Sequence, residues 1–313
     1  MALMLPSPHA PLKIGTRGSP LALAQAHETR RRLCTAFDLD ERAFEIVVIK
    51  TTGDKVLDRP LKEIGGKGLF TREIEEDMLA GKIDIAVHSM KDMPVLQPLG
   101  LCIETYLPRE DVRDAFVSSA FERIADLPSG TLVGTSSLRR KAQLQNKRPD
   151  LTVVEFRGNV QTRLRKLEDG VASCTFLAMA GLNRLDMFDI AKSAVAVEEM
   201  LPAVAQGAIG IERRENDLNT ASLLEAIHDI PTGQRLNSER AFLKELDGSC
   251  ETPIAALADL QGGHVYLRGE VLRPDGSEAI NDAAIAPIED GALLGQEMAQ
   301  KLLSEAGEGF FDC

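Results

Sequence analysis

The stretches IGTRGSPL at residues 14–21 and LVGTSSLRR at residues 132–140 decide the fold, because they share one plan. Each reads as the end of an apolar strand, a Gly-Thr pair, a small polar turn and the start of a helix that contains Ala and Gln. Ser19 suits the N-cap of the first helix, and Pro20 suits its first position. The strand and helix patterns that follow also recur, so the sequence predicts two similar α/β lobes with a binding cleft between them.

The order of the segments predicts the domain boundaries. Residues 201–212 read as a crossing strand that returns the chain to the first lobe, which we expect to comprise residues 1–107 and 206–226. The second lobe is then 108–205, and residues 227–313 form a small α+β domain that carries the Cys250 loop. The predicted fold class is therefore α/β: two lobes similar to those of periplasmic binding proteins around a cleft, plus this C-terminal α+β domain.

The composition argues against several classes of function. The 313 residues, 44% hydrophobic and 27% charged, are typical of a globular protein with more than one core. A net charge of −12 argues against nucleic acid and membrane partners, and no run approaches the roughly 20 apolar residues of a membrane span. Five cysteines without close pairs, and an N-terminal segment 1–11 without Lys or Arg, predict a cytoplasmic protein. We also expect a monomer that needs no metal, since no exposed apolar stripe and no ligand cluster is visible.

Basic residues are concentrated in the second predicted lobe. Residues 131–170 carry nine basic and four acidic side chains, a local balance of +5. Arg139, Arg140 and Arg157 stand where helices begin at strand ends, and Arg17 stands at the equivalent turn of the first lobe. A guanidinium group binds a carboxylate or phosphate through two hydrogen bonds, and the N–H groups of a helix start favour the same anions. The sequence therefore predicts a site for a small polyanion.

Three loops carry further candidate residues. The loop GGKGLF at residues 65–70 presents Lys67 among glycines, without the spacing of a Walker A motif. Lys91 and Asp92 follow a short apolar strand at its carboxyl end, where ligands of open α/β sheets bind. Cys250 lies in the Gly- and Pro-flanked loop DGSCETP at residues 247–253. Taken alone, Lys91 with Asp92 also fits a solvated turn, and Cys250 also fits an idle thiol.

Together these motifs resemble the porphobilinogen deaminase (hydroxymethylbilane synthase) family. The resemblance covers residues 13–255 and is weaker beyond the cysteine loop; it rests on the Arg17 turn, GGKGLF, HSMKDMP at 88–94, GTSSLRR at 134–140, RGN at 157–159, AGLNR at 180–184, Gln206-Gly207 and the Cys250 loop. It implies a transferase of tetrapyrrole biosynthesis that deaminates and condenses four porphobilinogen molecules head to tail into linear hydroxymethylbilane. It also implies one dipyrromethane cofactor per chain, bound through a thioether to Cys250.

The resemblance assigns roles that suit a substrate with acetate and propionate groups. Asp92, beside Lys91, is the candidate catalytic carboxylate, because it can assist proton transfer at the leaving amine and stabilise the cation that develops. The implied cofactor-binding residues are Cys250, Lys91, Asp92, Ser137, Arg139, Arg140, Arg157, Gly158 and Gln206. The implied substrate-binding residues are Arg17, Ser19, Lys67, Phe70, Arg157, Arg163 and Arg184.

The chain departs from the family pattern at three places. Glu63 stands where relatives often have lysine, and Ser173-Cys174 stands where Asp-Ala is common. Ala205 replaces a glycine, so we expect a stiffer crossover between the lobes.

Two other classes of protein share part of this pattern. A two-lobed polyanion-binding protein without catalysis would have the same lobes, but it would not need Lys91 and Asp92 together with an isolated loop thiol. A thiol-dependent redox or transfer enzyme centred on Cys250 would need a resolving cysteine or a nearby histidine, and neither is visible.

Overall fold

One sheet topology occurs twice in the computed structural model, which describes residues 3–52, 71–248 and 252–312. The first sheet has the order β2-β1-β3-β10-β4 and contains β1 (Leu12–Arg17), β2 (Phe44–Ile49), β3 (Ile85–Ser89), β4 (Leu101–Tyr106) and β10 (Ile209–Arg214). Here β1 is parallel to β2 and β3, whereas β10 runs antiparallel between β3 and β4. The predicted crossing strand at 201–212 was wrong in its start, because the strand begins only at Ile209, but it does return the chain to the sheet of the first strands.

The second sheet repeats this arrangement. Its order is β7-β6-β8-β5-β9, and it contains β5 (Asp114–Ser118), β6 (Leu132–Gly134), β7 (Thr152–Val154), β8 (Cys174–Ala178) and β9 (Ser193–Ala194). Here β6 is parallel to β7 and β8, and β5 runs antiparallel between β8 and β9. Position by position, β6, β7 and β8 correspond to β1, β2 and β3. The prediction of two similar α/β lobes is confirmed.

Helices follow the strands where the sequence places N-caps. They are α1 (Pro20–Phe37), α2 (Arg72–Leu79), α3 (Leu138–Lys147), α4 (Val160–Glu168), α5 (Met179–Arg184), α6 (Leu218–Glu225), α7 (Ile230–Glu245) and α8 (Gly291–Ala306). The Ser19 hydroxyl accepts from the backbone N–H of Ala22, so the predicted cap of α1 is confirmed. One face of α1, which includes Ala26 and Leu33, is buried in the core of the first lobe. Full burial of a leucine such as Leu33 contributes about 2 kcal/mol.

The C-terminal residues form an antiparallel sheet with a helix on it. The strands are β11 (Ile254–Gln261), β12 (His264–Leu272) and β13 (Ala279–Pro287), and β12 pairs with both others. Leu294, Met298 and Leu302 recur every four residues on α8 and are buried. The turn at 273–276 joins β12 to β13, with Gly276 at φ +77°.

The chain divides into two compact units. One comprises Met1–Arg109 with Ala208–Gly233, and the other comprises Glu110–Gly207 with Gln234–Cys313. The finer division into three domains stays a prediction. Within the described ranges, no helix is both long enough and apolar enough to cross a membrane.

Candidate active site

Two candidate site elements lie on one edge of the first sheet. Because β1 and β3 are parallel neighbours, with Gly15 paired to Ala86, their carboxyl ends meet on the same edge. The strand β1 ends at Arg17, which is half-buried. The strand β3 runs directly into a 3₁₀ turn, Met90–Asp92, in which Lys91 is half-buried and Asp92 is exposed. The structure thus brings the Arg17 turn and the Lys91–Asp92 turn to a common edge.

Two hydrogen bonds anchor the start of the Met90–Asp92 turn, one to its backbone and one to the side chain of the preceding Ser89. The N–H of Met90 donates to the carbonyl of Ala208 at 3.0 Å, and the amide of Gln25 on α1 donates to the Ser89 hydroxyl at 2.8 Å. A Cβ at Gly210 would collide with the sulfur of Met90, so a glycine is required where β10 passes the turn. Asp92 therefore projects from a fixed backbone into solvent.

In the second lobe, Arg139 and Arg140 share a buried carboxylate. Ser137 caps α3 by accepting from the N–H of Arg140, which places both arginines in the first turn of the helix. Asp114, at the start of β5, accepts from Nη2 of Arg139 at 2.8 Å, from Nη2 of Arg140 at 2.7 Å and from Nε2 of Gln206 at 2.9 Å. Asp114 is fully buried and each arginine is only 4% exposed.

One further nitrogen of each guanidinium group also donates a hydrogen bond. Nη1 of Arg139 donates to the carbonyl of Leu201, and Nη1 of Arg140 donates to the carbonyl of Phe176, both at 2.8 Å. The Nε atoms of both arginines are buried and find no hydrogen-bond partner among the described residues. Burial opposes the charge of Asp114, but Arg139 and Arg140 outweigh it and hold the pKa of Asp114 well below its usual range. Asp114 balances one of the two guanidinium charges, and the carboxyl of Glu270 also acts on Arg139.

The turn after β7 presents Arg157 beside a required glycine. Gly158 has φ +124°, and a Cβ there would lie 2.6 Å from Cγ2 of Thr162. Asn159 caps α4 by accepting from the N–H of Thr162, and Nε of Arg163 donates to the carbonyl of Gly158 at 2.9 Å. Since β6, β7 and β8 are parallel neighbours, the turns after them lie on one sheet edge. That edge therefore gathers Arg139, Arg140 and Arg157.

The segment that precedes β10 contains two residues with positive φ. Ala205 has φ +60° and Gly207 has φ +88°. The N–H of Ala205 donates to the buried carboxylate of Glu239 on α7 at 2.7 Å, and Nη2 of Arg184 donates to the carbonyl of Gly207 at 3.0 Å. Ala205 is held in a left-handed conformation, which costs an L-residue about 1–2 kcal/mol. Glycine would adopt this conformation without that cost. The stiffer crossover expected from the alanine stays a prediction.

Several sequence-predicted residues lie outside the described residues. They are Lys67, Phe70 and Cys250, together with the departure at Glu63. Among the residues that are described, no group of three or more His, Cys, Asp or Glu side chains could hold a metal ion.

Sequence reasoning missed Asp114 and Glu239. Asp114 heads a strand that is buried along its whole length, DAFVS, and an acidic residue at the start of such a run is the signal that could have found it. Glu239 lies in the middle of α7, where no local pattern separates a buried carboxylate from a solvated one. His88, on the strand that leads into the Met90–Asp92 turn, is buried at 5% exposure.

The repeated α/β fold and the arginines at its strand ends define the class, an α/β protein suited to a small polyanion. Comparison with known proteins identifies the family. The chain belongs to the porphobilinogen deaminase family. A family model described as "Porphobilinogen deaminase, dipyromethane cofactor binding domain" matches residues 12–222, and "Porphobilinogen deaminase, C-terminal domain" matches residues 234–304. The enzyme class, the dipyrromethane cofactor and the role in tetrapyrrole biosynthesis predicted from the sequence are confirmed.

Similar curated proteins carry the same description over nearly the whole chain. Porphobilinogen deaminase of Paracoccus denitrificans (strain Pd 1222) is 66% identical over 308 residues, which is 98% of either chain. The chloroplastic porphobilinogen deaminase of Pisum sativum is 52% identical over 96% of this chain and 83% of its own.

Solved structures of periplasmic proteins show a distant likeness. The periplasmic VFT2 domain of Bordetella pertussis BvgS gives a TM-score of 0.41 at 17% identity, covering 74% of this chain and 92% of that one. A periplasmic substrate-binding protein of a Coxiella burnetii ABC transporter gives 0.42 at 13% identity, covering 71% and 93%. Because these TM-scores are low, the description of the fold rests on the sheet topology of the chain and not on this likeness.

Proposed function

We propose that the chain carries out the reaction of its family with Asp92 as the catalytic carboxylate and Lys91 beside it. In this reaction four porphobilinogen molecules lose ammonia and join head to tail, and hydrolysis releases linear hydroxymethylbilane. The observation that carries the proposal is the Met90–Asp92 turn, whose backbone is fixed while the Asp92 carboxyl stays exposed. Such a carboxylate can exchange a proton with the leaving amine and stabilise the cation that develops at the substrate carbon.

The second lobe fits a cofactor with acetate and propionate side chains. Asp114 balances only one of the two guanidinium charges of Arg139 and Arg140, with Glu270 as a further carboxylate that acts on Arg139, and this basic cluster suits an anionic cofactor. When bound, the dipyrromethane supplies the pyrrole end onto which substrate units are joined. We assign to its binding Cys250, Lys91, Asp92, Ser137, Arg139, Arg140, Arg157, Gly158 and Gln206.

Cys250 is the thiol that we assign to the thioether. A thiol must lose its proton to act as a nucleophile, and burial raises the pKa of Cys102 to about 11 and that of Cys174 to about 12. Burial also raises the pKa of the Cys34 thiol. These three thiols are therefore poorly suited to a bond-forming role at neutral pH.

Basic side chains can bind the carboxylates of the substrate and of the growing chain. We assign substrate binding to Arg17, Lys67, Arg157, Arg163 and Arg184, together with the uncharged Ser19 and Phe70. Guanidinium groups at strand ends suit acetate and propionate because each can form two parallel hydrogen bonds to one carboxylate.

We also propose that the chain is a cytoplasmic monomer without nucleic acid or membrane partners. The net charge of −12 supports this, since binding to nucleic acid or an anionic membrane needs a positive field. The free thiols of Cys34, Cys102 and Cys174 support a reducing compartment. The alternative of a polyanion-binding protein without catalysis is not favoured, because the family match covers both the cofactor-binding and the C-terminal domain.

The test of the catalytic assignment is Asp92→Asn. We expect ammonia release to fall by about 10²-fold or more, because an amide can neither exchange a proton with the leaving amine nor balance the cation that develops. Asp77→Asn, which removes a surface ion pair with Lys82 in the same unit, is the matched control and should leave turnover unchanged. Wild-type ammonia release by Asp92→Asn would remove Asp92 from the mechanism.

A further inference from the structure

The turn after β7 contains a residue that can contribute to binding only through its backbone. Gly158 is one of the residues that we assign to the cofactor, and it has no side chain. Its carbonyl already accepts from Nε of Arg163 at 2.9 Å, and a carbonyl oxygen cannot donate to a carboxylate. Its N–H makes no hydrogen bond to another residue in the described ranges 3–52, 71–248 and 252–312. The N–H is therefore the group of Gly158 that suits an acetate or propionate oxygen.

Lys166 holds the peptide to which this N–H belongs. From α4, Nζ of Lys166 donates to the carbonyl of Arg157 at 3.0 Å. In a planar trans peptide the carbonyl and the N–H that follows it point in opposite directions. Because the carbonyl of Arg157 points at the ammonium group of Lys166, the N–H of Gly158 points away from it. The hydrogen bond of Lys166 thus sets the direction of the donor.

The glycine makes this peptide easy to turn. Gly158 has φ +124°, and a glycine adopts positive and negative φ about equally well. The peptide plane between Arg157 and Gly158 could therefore rotate as a unit, with little movement of the chain on either side. Half a turn would bring the carbonyl of Arg157 to where the N–H now points, and an acceptor would then face an anionic ligand. A hydrogen bond from a charged donor is stronger than one from a neutral donor, so Lys166 opposes this rotation well.

The supports of this hydrogen bond are themselves fixed. Phe156 is fully buried, and its N–H donates to the hydroxyl of Ser136 at 2.9 Å. Nζ of Lys166 lies 5.6 Å from the centre of the Phe156 ring, within the range of a cation–π interaction. Leu164 and Leu167 pack α4 against the core of the second lobe. The ammonium group and the carbonyl are therefore both held where they meet.

We propose that Lys166 is a positioning residue of the cofactor site, which holds the Arg157–Gly158 peptide so that the N–H of Gly158 donates to a carboxylate of the dipyrromethane. Lys166 acts through this peptide and does not itself need to touch the cofactor. The same hydrogen bond fixes the backbone from which the guanidinium group of Arg157 extends. The inference rests on the proposed assignment of Gly158 to the cofactor.

The amide proton resonance of Gly158 in the holoenzyme tests the direction of this N–H. An amide proton that donates to a carboxylate resonates downfield of one that donates to water. We expect a downfield resonance in the wild type and an upfield shift in Lys166→Met, which keeps an apolar stem but has no donor. Lys166→Arg, which keeps both charge and donors, should retain the downfield position. The matched control is Arg165→Met, at an exposed residue of the same helix, and it should leave the resonance unchanged.

The variant Cys250→Ser separates the role of Lys166 from the cofactor contact. Without the thioether the cofactor should be absent, so the Gly158 resonance should move upfield there as well. An unchanged resonance in Lys166→Met would overturn the role of Lys166. The same resonance in the wild type and in a cofactor-free Cys250→Ser would show that Gly158 does not contact the cofactor, and the proposal would fail with it. Neither result depends on turnover, so failure of the Asp92 assignment would be seen separately, in the ammonia release of Asp92→Asn.

Kinetics of the same variants measure what the positioning contributes. Lys166→Met should lower kcat/KM for porphobilinogen by about tenfold, the effect of one charge-assisted hydrogen bond, because the cofactor that receives the substrate is held less well. Lys166→Arg should recover most of this loss, and Arg165→Met should show none. Equal losses in Lys166→Met and Lys166→Arg would contradict a role for the donated hydrogen bond.

Discussion

Replacement of Asp114 by asparagine tests what the buried arginine cluster contributes. The change keeps the volume of the side chain but removes the anion with which both guanidinium groups pair, in a site where Asp114 is 0% exposed. Removal of one partner from a buried ion pair costs about 3–5 kcal/mol, because the remaining charge stays desolvated. Since a domain has about 5–15 kcal/mol of stability in total, we expect a large fall in the free energy of unfolding.

Urea denaturation of the holoenzyme measures this loss. The matched control is Asp111→Asn, three residues earlier in the chain, which breaks a 2.6 Å pair with the partly exposed Arg113. That pair should contribute about 1 kcal/mol or less. If Asp114→Asn loses no more stability than Asp111→Asn, the ion pairs of Asp114 with Arg139 and Arg140 do not stabilise the second lobe.

The same cluster makes stability depend on pH. The pKa of Asp114 is lowered in the folded protein from an ordinary value of 3.8, so the unfolded chain binds a proton there before the folded protein does. The stabilisation by Asp114 is therefore complete above that value and is lost as pH falls below it. Denaturation curves of the wild type and Asp114→Asn should converge in acid and separate toward neutral pH.

Two further substitutions test backbone geometry by urea denaturation. Ala205→Gly should raise the free energy of unfolding by about 0.5–1 kcal/mol, because the relief of backbone strain exceeds the added freedom of the unfolded chain. The control Ala203→Gly, where φ is not positive, should lower the free energy of unfolding. A lower free energy of unfolding in both variants would contradict strain at Ala205. Gly158→Ala should lower the free energy of unfolding by about 1 kcal/mol or more beyond the loss in Gly170→Ala. Both glycines have positive φ, but only an alanine at 158 would also clash with Thr162. Equal losses of stability would show that the turn at Gly158 has room for a methyl group.

The repeated architecture was predictable because its signals are local. The Gly-Thr turns, the caps at Ser19 and Ser137 and the apolar strands each lie within a few residues, and the structure places them as expected in two sheets of one topology. The placement of Arg139 and Arg140 at the start of a helix was likewise local. Their shared partner could not be predicted, because Asp114 lies 25 and 26 residues before them in the sequence. Asp114 reaches the two arginines only because β5 pairs antiparallel with β8.

The contact between the buried side chains of His88 and Glu212 was hidden for a similar reason. His88 and Glu212 are 124 residues apart, and their meeting depends on the return of the chain into the first sheet. The departure at Ala205 was visible in sequence, but its positive φ needed the backbone.

The intact mass of the purified protein tests most directly whether Cys250 carries a covalent cofactor. The chain should carry the added mass of one dipyrromethane, Cys250→Ser should abolish the addition, and Cys102→Ser, at a half-buried thiol with a raised pKa, should retain it. An active protein with the mass of the bare sequence would contradict a covalent primer on Cys250.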